Sequence, residues 1–158
     1  MAWVAILAAV ILLLFVAAFA RKRRQNATVD ALRAHFPHIA RMRLVSACPG
    51  LEPVLQETEL RMLFDWIMLQ LYGRTGSPGY RELIQWTLEH GEGESLQLIA
   101  EVTGDAVDHM TAPALEVIDA CGGRALAAVL LDQSLSEAGQ RIGLSSTASA
   151  TDHFGRPE

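Results

Sequence analysis

The chain has 158 residues and carries 18 acidic against 13 basic residues, for a formal net charge of −5 at pH 7. The charge is divided unevenly, because residues 21–45 carry seven cations against one acid, whereas residues 46–158 carry six arginines against seventeen acids. An acidic body repels nucleic acid, so we exclude nucleic acid as a partner and expect a protein with a basic surface. After an apolar start, about 138 residues remain, which is enough for one domain with a hydrophobic core.

Residues 2–20 form an apolar stretch without a single charge. Nineteen residues at helical rise span about 28 Å, which is close to the hydrocarbon thickness of a bilayer. Trp3 suits the aromatic belt at one interface, and four cations suit anionic headgroups at the other: Arg21, Lys22, Arg23 and Arg24. The sequence therefore predicts a single transmembrane anchor in a bacterial inner membrane, with the N-terminus outside and the following domain in the cytoplasm. The bacterial source is inferred from the bias of the composition toward arginine, alanine and glycine.

A cleaved signal peptide is the alternative, because Ala18, Phe19 and Ala20 resemble a small-x-small cleavage site. A signal peptide carries its cations before the apolar stretch, whereas here they follow it and resist translocation. We therefore favour the retained anchor. In the cytoplasm Cys48 and Cys121 are expected to be reduced, buried apolar residues, while the signal-peptide interpretation allows a disulfide between them.

Residues 21–47 are predicted to be a basic juxtamembrane segment. Pro37 is expected to end a short helix over residues 29–36, because a proline disfavours helix in the residue before it. A second short helix is expected over residues 38–45, with Arg41 and Arg43 on a basic side. This segment is predicted either to lie along the membrane surface or to act as a solvated tether.

Residues 48–140 are predicted to be an acidic helical domain. The helix from Pro53 to Tyr72 has apolar residues almost all round its axis, including Met62 and Trp66, so we expect it to be the buried centre. Further helices are predicted between the glycine-rich loops at 73–79 and 91–94, over 95–110, from Thr111 to Cys121, and over 124–138. No strand pattern is apparent. The predicted fold is all-α: one N-terminal transmembrane helix, a compact soluble domain of about five helices, and a disordered tail over residues 141–158.

A partner-binding surface is predicted on two of these helices. Trp86 lies off the apolar face of its helix, and an exposed tryptophan often anchors a protein interface. The alternative is that a second layer of the same fold covers it. Two acidic residues neighbour Trp86 on its own predicted helix, and three more lie on one side of the helix predicted over residues 95–110. The predicted surface comprises Trp86, Glu82, Glu89, Glu101, Asp105 and Asp108.

An enzymatic alternative uses the same helix. Glu101, Asp105 and His109 are spaced i, i+4, i+8, a pattern that can line up ligands for a divalent cation and would suit a membrane-tethered metal-dependent hydrolase. A single helix supplies few converging ligands, however, and HExxH and CxxC motifs are missing. We therefore predict no catalytic residue, metal or cofactor. The sequence favours a non-catalytic protein-binding module of the adaptor, assembly-factor or toxin-neutralising type.

Overall fold

The computed structural model describes the backbone of residues 2–76 and 92–143, and the side chains of residues 10–18, 27–76 and 97–143. Within these residues there are five α-helices, one short 3-10 turn at Pro49–Leu51 and no strand, which confirms the all-α class. The helices are α1 (Ala2–Ala47), α2 (Glu57–Thr75), α3 (Glu92–Val107), α4 (Ala112–Cys121) and α5 (Gly123–Arg141). The helix predicted between the two glycine-rich loops lies outside the described residues, as does the predicted tail from residue 144 onward.

The first helix is longer than predicted. α1 is 46 residues long and contains Pro37 in its interior, so the prediction of two short helices broken at that proline is wrong. A proline inside a helix removes one hydrogen bond and costs about 3 kcal/mol. Leu32, Phe36 and Ile39 are all fully buried, and each contributes about 1.5–3 kcal/mol relative to exposure. Tertiary burial on both sides of Pro37 therefore outweighs the local cost.

The hydrophobic core begins well before Cys48. Leu32 is fully buried in it, and Ala40 and Leu44 follow on the same helix. Residues 38–45, predicted to lie on the membrane or in solvent, thus pack inside the domain. Arg43 faces α5 rather than lipid, because it binds Glu137. The second half of the predicted juxtamembrane segment is part of the folded body.

Four helices enclose the core. α1 packs against α2, α2 against α3, α3 against α5, and α5 again against α1. The rings of Phe36 and Phe64 meet at its centre with centroids 5.4 Å apart. α4 and the 3-10 turn pack on the outside of this group. Small residues such as Ala127 and Ala138 are buried on α5, where they permit close approach of its neighbours.

α2 is one wall of this arrangement and not its surrounded centre, so that prediction is wrong. Its buried face carries Leu60, Phe64, Ile67 and Leu71, whereas Met62 on the other face is 71% exposed. Each of the four enclosing helices needs only one apolar face, because its opposite face meets solvent.

The exposed face of α2 carries charged residues at successive turns. Glu57 and Arg61 pair at 2.6 Å, as expected for residues one turn apart. Asp65, one turn further on, binds Arg33 of α1 at 2.7 Å. This second ion pair links α2 to α1.

The N-terminal part of α1 stands apart from the core. The large apolar side chains at residues 10–16 are between 48% and 72% exposed. Taken over the residues that the structure describes, no helix combines the length and the apolarity needed to cross a membrane. The residues predicted at the membrane interface lie on α1, but their side chains are outside the described set: Trp3, Arg21, Lys22, Arg23 and Arg24.

Candidate functional site

The predicted acidic surface is held in place by arginines. Glu101 and Asp105 both bind Arg74, from the last turn of α2, with N–O distances of 2.9 and 3.2 Å. These two carboxylates lie one turn apart on α3, which lets one guanidinium reach both of them. Both side chains remain about half exposed. The pair therefore faces solvent while linking α2 to α3.

Asp108 forms a second arginine-centred group. It binds Arg124 of α5, which also lies 3.4 Å from the carboxylate of Asp119 on α4. As with Arg74, two carboxylates share one guanidinium. Trp86, Glu82 and Glu89 lie outside the described residues, so their predicted place in the surface stays a prediction.

The proposed metal-ligand set does not converge. His109 turns away from Glu101 and Asp105 and packs its ring against Trp66, with centroids 4.6 Å apart. Across the described part of the chain, no group of three histidine, cysteine or acidic residues is arranged to hold a metal ion. The spacing i, i+4, i+8 predicted the three residues on one side of a helix, but α2 binds them separately: Arg74 pairs with Glu101 and Asp105, and Trp66 packs against His109.

A cavity of about 440 Å³ opens beside the Trp66–His109 pair, and we call it the Glu59 cavity. Its volume is within the range of small-molecule pockets. Val54, Met62 and Leu63 provide apolar walls, and Glu59 lies in the lining next to Thr111. The cavity is thus formed by the first half of α2 and the connection between α3 and α4.

Only one of the two carboxylate oxygens of Glu59 has a hydrogen-bond partner among the described residues. Its Oε1 accepts a hydrogen bond from the backbone N–H of Thr111 at 2.6 Å. Its Oε2 is buried and has no hydrogen-bond partner among the described residues. A buried polar atom without a partner costs free energy, so it signals either a ligand or a bound water.

Sequence reasoning missed this site. Glu59 is an acid in the first turn of α2, where it is expected simply to favour the helix dipole. Trp66 was expected in the core, but it is only partly buried and lines the cavity. His109 comes from 43 positions further along the chain. No local pattern connects the three residues.

Cys48 and Cys121 form a disulfide, so the expectation of two reduced thiols is wrong. The 3-10 turn after Cys48 packs against α4, which brings the end of α1 beside the last residue of α4. The two Cα atoms are 5.7 Å apart, a separation typical of disulfides. The bond closes a loop between residues 73 positions apart and ties α4 to α1.

Two acids on α5 titrate differently. Hydrogen bonds from Arg43 and then Arg141 lower the pKa of Glu137 below its ordinary value of 4.5. Arg43 donates to Oε2 of Glu137 from two nitrogens, at 2.9 and 3.1 Å, and so joins α1 to α5. Burial raises the pKa of Asp132 above its ordinary value of 3.8.

The described residues define a class: an all-helical protein in which four helices enclose the core and one side carries a ligand-sized cavity lined by a partly buried acid. Comparison of the chain with models of protein families, with curated proteins and with solved structures gives no match. Because a fold does not by itself determine function, the function is inferred from the chemistry of the chain's own residues.

Proposed function

We propose that this protein is a single-pass, membrane-anchored, non-catalytic binding module whose acidic helical domain captures a protein with a basic surface. The observation that carries the proposal is the exposure of seven consecutive large apolar side chains at residues 10–16. Each such side chain gains about 1.5–3 kcal/mol when it leaves water. Contiguous exposed apolar patches of this kind mark surfaces that bind a membrane or a partner. A bilayer accommodates all sides of such a helix at once.

The anchor and the domain share one helix. α1 runs without a break from the apolar stretch to the buried Leu32. Leu32 lies twelve positions after Ala20, or about 18 Å along the helix axis. A helical connection of that length holds the domain close to the headgroups, where residues 21–24 interact with anionic lipid.

The orientation we propose follows from those cations. Arginine and lysine that directly follow an apolar helix stay in the cytoplasm. The acidic domain then faces the cytoplasm of a bacterial cell. In that compartment a disulfide such as Cys48–Cys121 is usually transient and responds to redox conditions, so we treat it as a bond that forms on oxidation.

The surface proposed to meet the partner, which we call the α3 surface, consists of the acidic side of α3 and the acids that follow it, Asp108 and Asp119. Arg74 is shared by Glu101 and Asp105, and Arg124 is shared by Asp108 and Asp119, which leaves an excess of one negative charge in each group. Ion pairs at exposed positions contribute only about 0–1 kcal/mol. A basic partner can therefore replace these internal pairs at little cost. Trp86, Glu82 and Glu89 lie outside the described residues and are included in the proposal from the sequence alone.

Carbonate extraction of native membranes tests the anchor. We expect the full-length chain to stay with the membrane pellet, and the double variant Leu12→Arg/Phe15→Arg to appear in the soluble fraction. The matched control is Val129→Arg/Met42→Arg, which adds the same charge at exposed apolar residues outside the stretch and is expected to stay in the pellet. Extraction of the wild-type chain by carbonate would contradict the anchor.

Crosslinking in native membranes tests the binding surface. The variant Glu101→Lys/Asp108→Lys, and separately Trp86→Ala, should reduce crosslinks to the partner at least fivefold. The control Glu52→Lys/Glu116→Lys changes the net charge equally at exposed acids away from α3 and should leave the crosslinks unchanged. Circular dichroism checks that all variants remain folded. Equal crosslinking by wild type and by both test variants would rule out this surface.

A further inference from the structure

We propose that the Glu59 cavity receives one arginine side chain of the partner protein, with the guanidinium between the Glu59 carboxylate and the Trp66 ring. This inference rests on the proposed function and deepens it, because it names the group that the partner contributes. It concerns a different part of the surface from the exposed acids of α3.

The cavity presents a negative charge that the described part of the chain does not neutralise. Glu59 Oε2 is buried and lacks a hydrogen-bond partner there. Every arginine in residues 27–76 and 97–143 is already bonded to another carboxylate, amide or carbonyl oxygen. A buried carboxylate oxygen without a partner is unfavourable, so a cation that enters the cavity and reaches it gains a charge-assisted hydrogen bond.

The walls fit the rest of an arginine side chain. Val54, Met62 and Leu63 offer apolar surface to its methylene stem. The Trp66 indole offers a flat ring, on which a planar guanidinium stacks better than the compact, strongly hydrated ammonium of lysine. The volume of about 440 Å³ leaves room for the side chain. These features favour arginine over lysine.

Two of the receiving groups are held by their neighbours before any ligand arrives. The N–H of Thr111 binds one oxygen of Glu59, and the other, Oε2, is covered but has no partner, so a small rotation of this partly exposed carboxylate brings it to the ligand. His109 packs against Trp66 and limits rotation of the indole. Side chains that are already ordered lose little entropy on binding. Met62, exposed at the rim, supplies an adaptable contact around the entering chain.

The test compares two small probes of the same shape. Nα-acetyl-arginine amide carries the guanidinium, and Nα-acetyl-citrulline amide replaces it with a neutral urea. Binding to the full-length protein in zwitterionic detergent micelles is followed by NMR at the Trp66 indole N–H. We expect the arginine probe to bind at least tenfold more tightly than the citrulline probe.

Two variants locate the effect. Glu59→Gln keeps an oxygen that can accept the Thr111 N–H but removes the charge, so the arginine probe should bind it no better than citrulline does. The control Glu57→Gln removes a charge two positions away that pairs with Arg61 and does not line the cavity, and it should behave as wild type. If Glu59→Gln does not fold, Trp66→Phe provides the second test, with an expected severalfold loss for arginine and little change for citrulline, followed through the ring protons of His109.

Three results would overturn the proposal: no saturable binding of the arginine probe to wild type, equal binding of the two probes to wild type, or undiminished preference for arginine in the folded Glu59→Gln variant. None of these measurements needs a partner protein or a lipid bilayer. If the membrane anchor or the α3 surface is disproved, the arginine-probe experiment can therefore still be interpreted. If the arginine probe does not bind, the carbonate-extraction and crosslinking results still stand.

Discussion

Two regions of this chain make opposite predictions about the side of the membrane on which the proposed anchor would hold the domain. The cations at residues 21–24 directly follow the apolar stretch and favour the cytoplasm. The disulfide between Cys48 and Cys121 is typical of an oxidising compartment outside it. Both regions belong to, or adjoin, the same helix α1, so they cannot lie in different compartments unless the membrane crosses between them.

The two signals act at different stages and with different strength. An arginine or lysine costs about 2.5–3.5 kcal/mol at the centre of an inserting helix, so moving four of them across costs about 10 kcal/mol or more. A disulfide closing a loop of this length stabilises the folded chain by about 4 kcal/mol, and only after insertion is complete. We therefore expect the cations to determine the orientation and the compartment then to determine the state of the cysteines.

The largest expected effect is reversal of the orientation itself. Replacing residues 21–24 by glutamine and adding Ala2→Arg moves the positive charge to the other end of the apolar stretch. Proteinase K added to spheroplasts should leave the wild-type domain intact and digest the domain of this variant. The control, Arg33→Gln/Arg61→Gln, removes cations within the folded domain and should stay protected. Digestion of the wild-type domain would instead support the side that the disulfide predicts.

Reduction of the disulfide is expected to have the next largest effect. Dithiothreitol should lower the free energy of unfolding of the full-length protein in detergent micelles by about 4 kcal/mol, because the reduced unfolded chain gains conformational entropy. Urea titration followed by circular dichroism measures it. The variant Cys48→Ala/Cys121→Ala should be insensitive to reductant. A wild-type protein that is equally insensitive after full oxidation would show that the bond does not form.

The sequence predicted the elements of this fold better than their assembly. The helical class follows from local periodicity, which is why the described helices lie close to the predicted ones. The predicted helix end at Pro37 was wrong because the free-energy cost of the proline is local. The burial of Leu32 and Ile39, which outweighs that cost, depends on packing against other helices. The disulfide was predicted only under the signal-peptide alternative, because the favoured cytoplasmic orientation implied reduced cysteines, and it is the packing of the 3-10 turn on α4 that brings the two cysteines together.

The candidate site was even less predictable. The spacing of Glu101, Asp105 and His109 predicted one side of a helix, but α3 ends at Val107 and His109 lies in the turn after it. Sequence spacing gives no sign that Arg74 binds the first two residues and Trp66 contacts the third. The Glu59 cavity combines residues from α2 with others that follow α3. A carboxylate oxygen left without a partner is a property of the packed structure. Only three-dimensional contacts could identify it.

The ion pair between Arg43 of α1 and Glu137 of α5 tests whether the disulfide affects the end of α1, because Arg43 lies five positions before Cys48. The pKa of Glu137 is lowered, so its contribution to stability is fully present above about pH 4.5 and is lost as the pH falls through the lower, folded-state pKa. Glu137→Gln should remove this acid-side loss and lower stability at pH 7. Urea titrations across pH 2–7 measure both effects. We expect the difference in unfolding free energy between wild type and Glu137→Gln to be the same with and without reductant, because a disulfide acts mainly on the unfolded chain. A larger effect in the reduced protein would mean that the end of α1 frays once the bond is broken.

The smallest expected effect has the opposite sign and comes from Asp132 on the same helix. Burial raises its pKa, so the folded state holds its proton more tightly than the unfolded chain does. Stability then falls as the pH rises from 3.8 through the raised pKa, and the ionised carboxylate remains a burden at neutral pH. Asp132→Asn should remove that fall and stabilise the protein at pH 7, by less than the disulfide does. The same titrations measure it, with Glu116→Gln as an exposed control on α4. Because Glu137 and Asp132 shift stability in opposite directions over neighbouring pH ranges, their double variant should show a flatter acid-side profile than wild type, whichever compartment holds the domain.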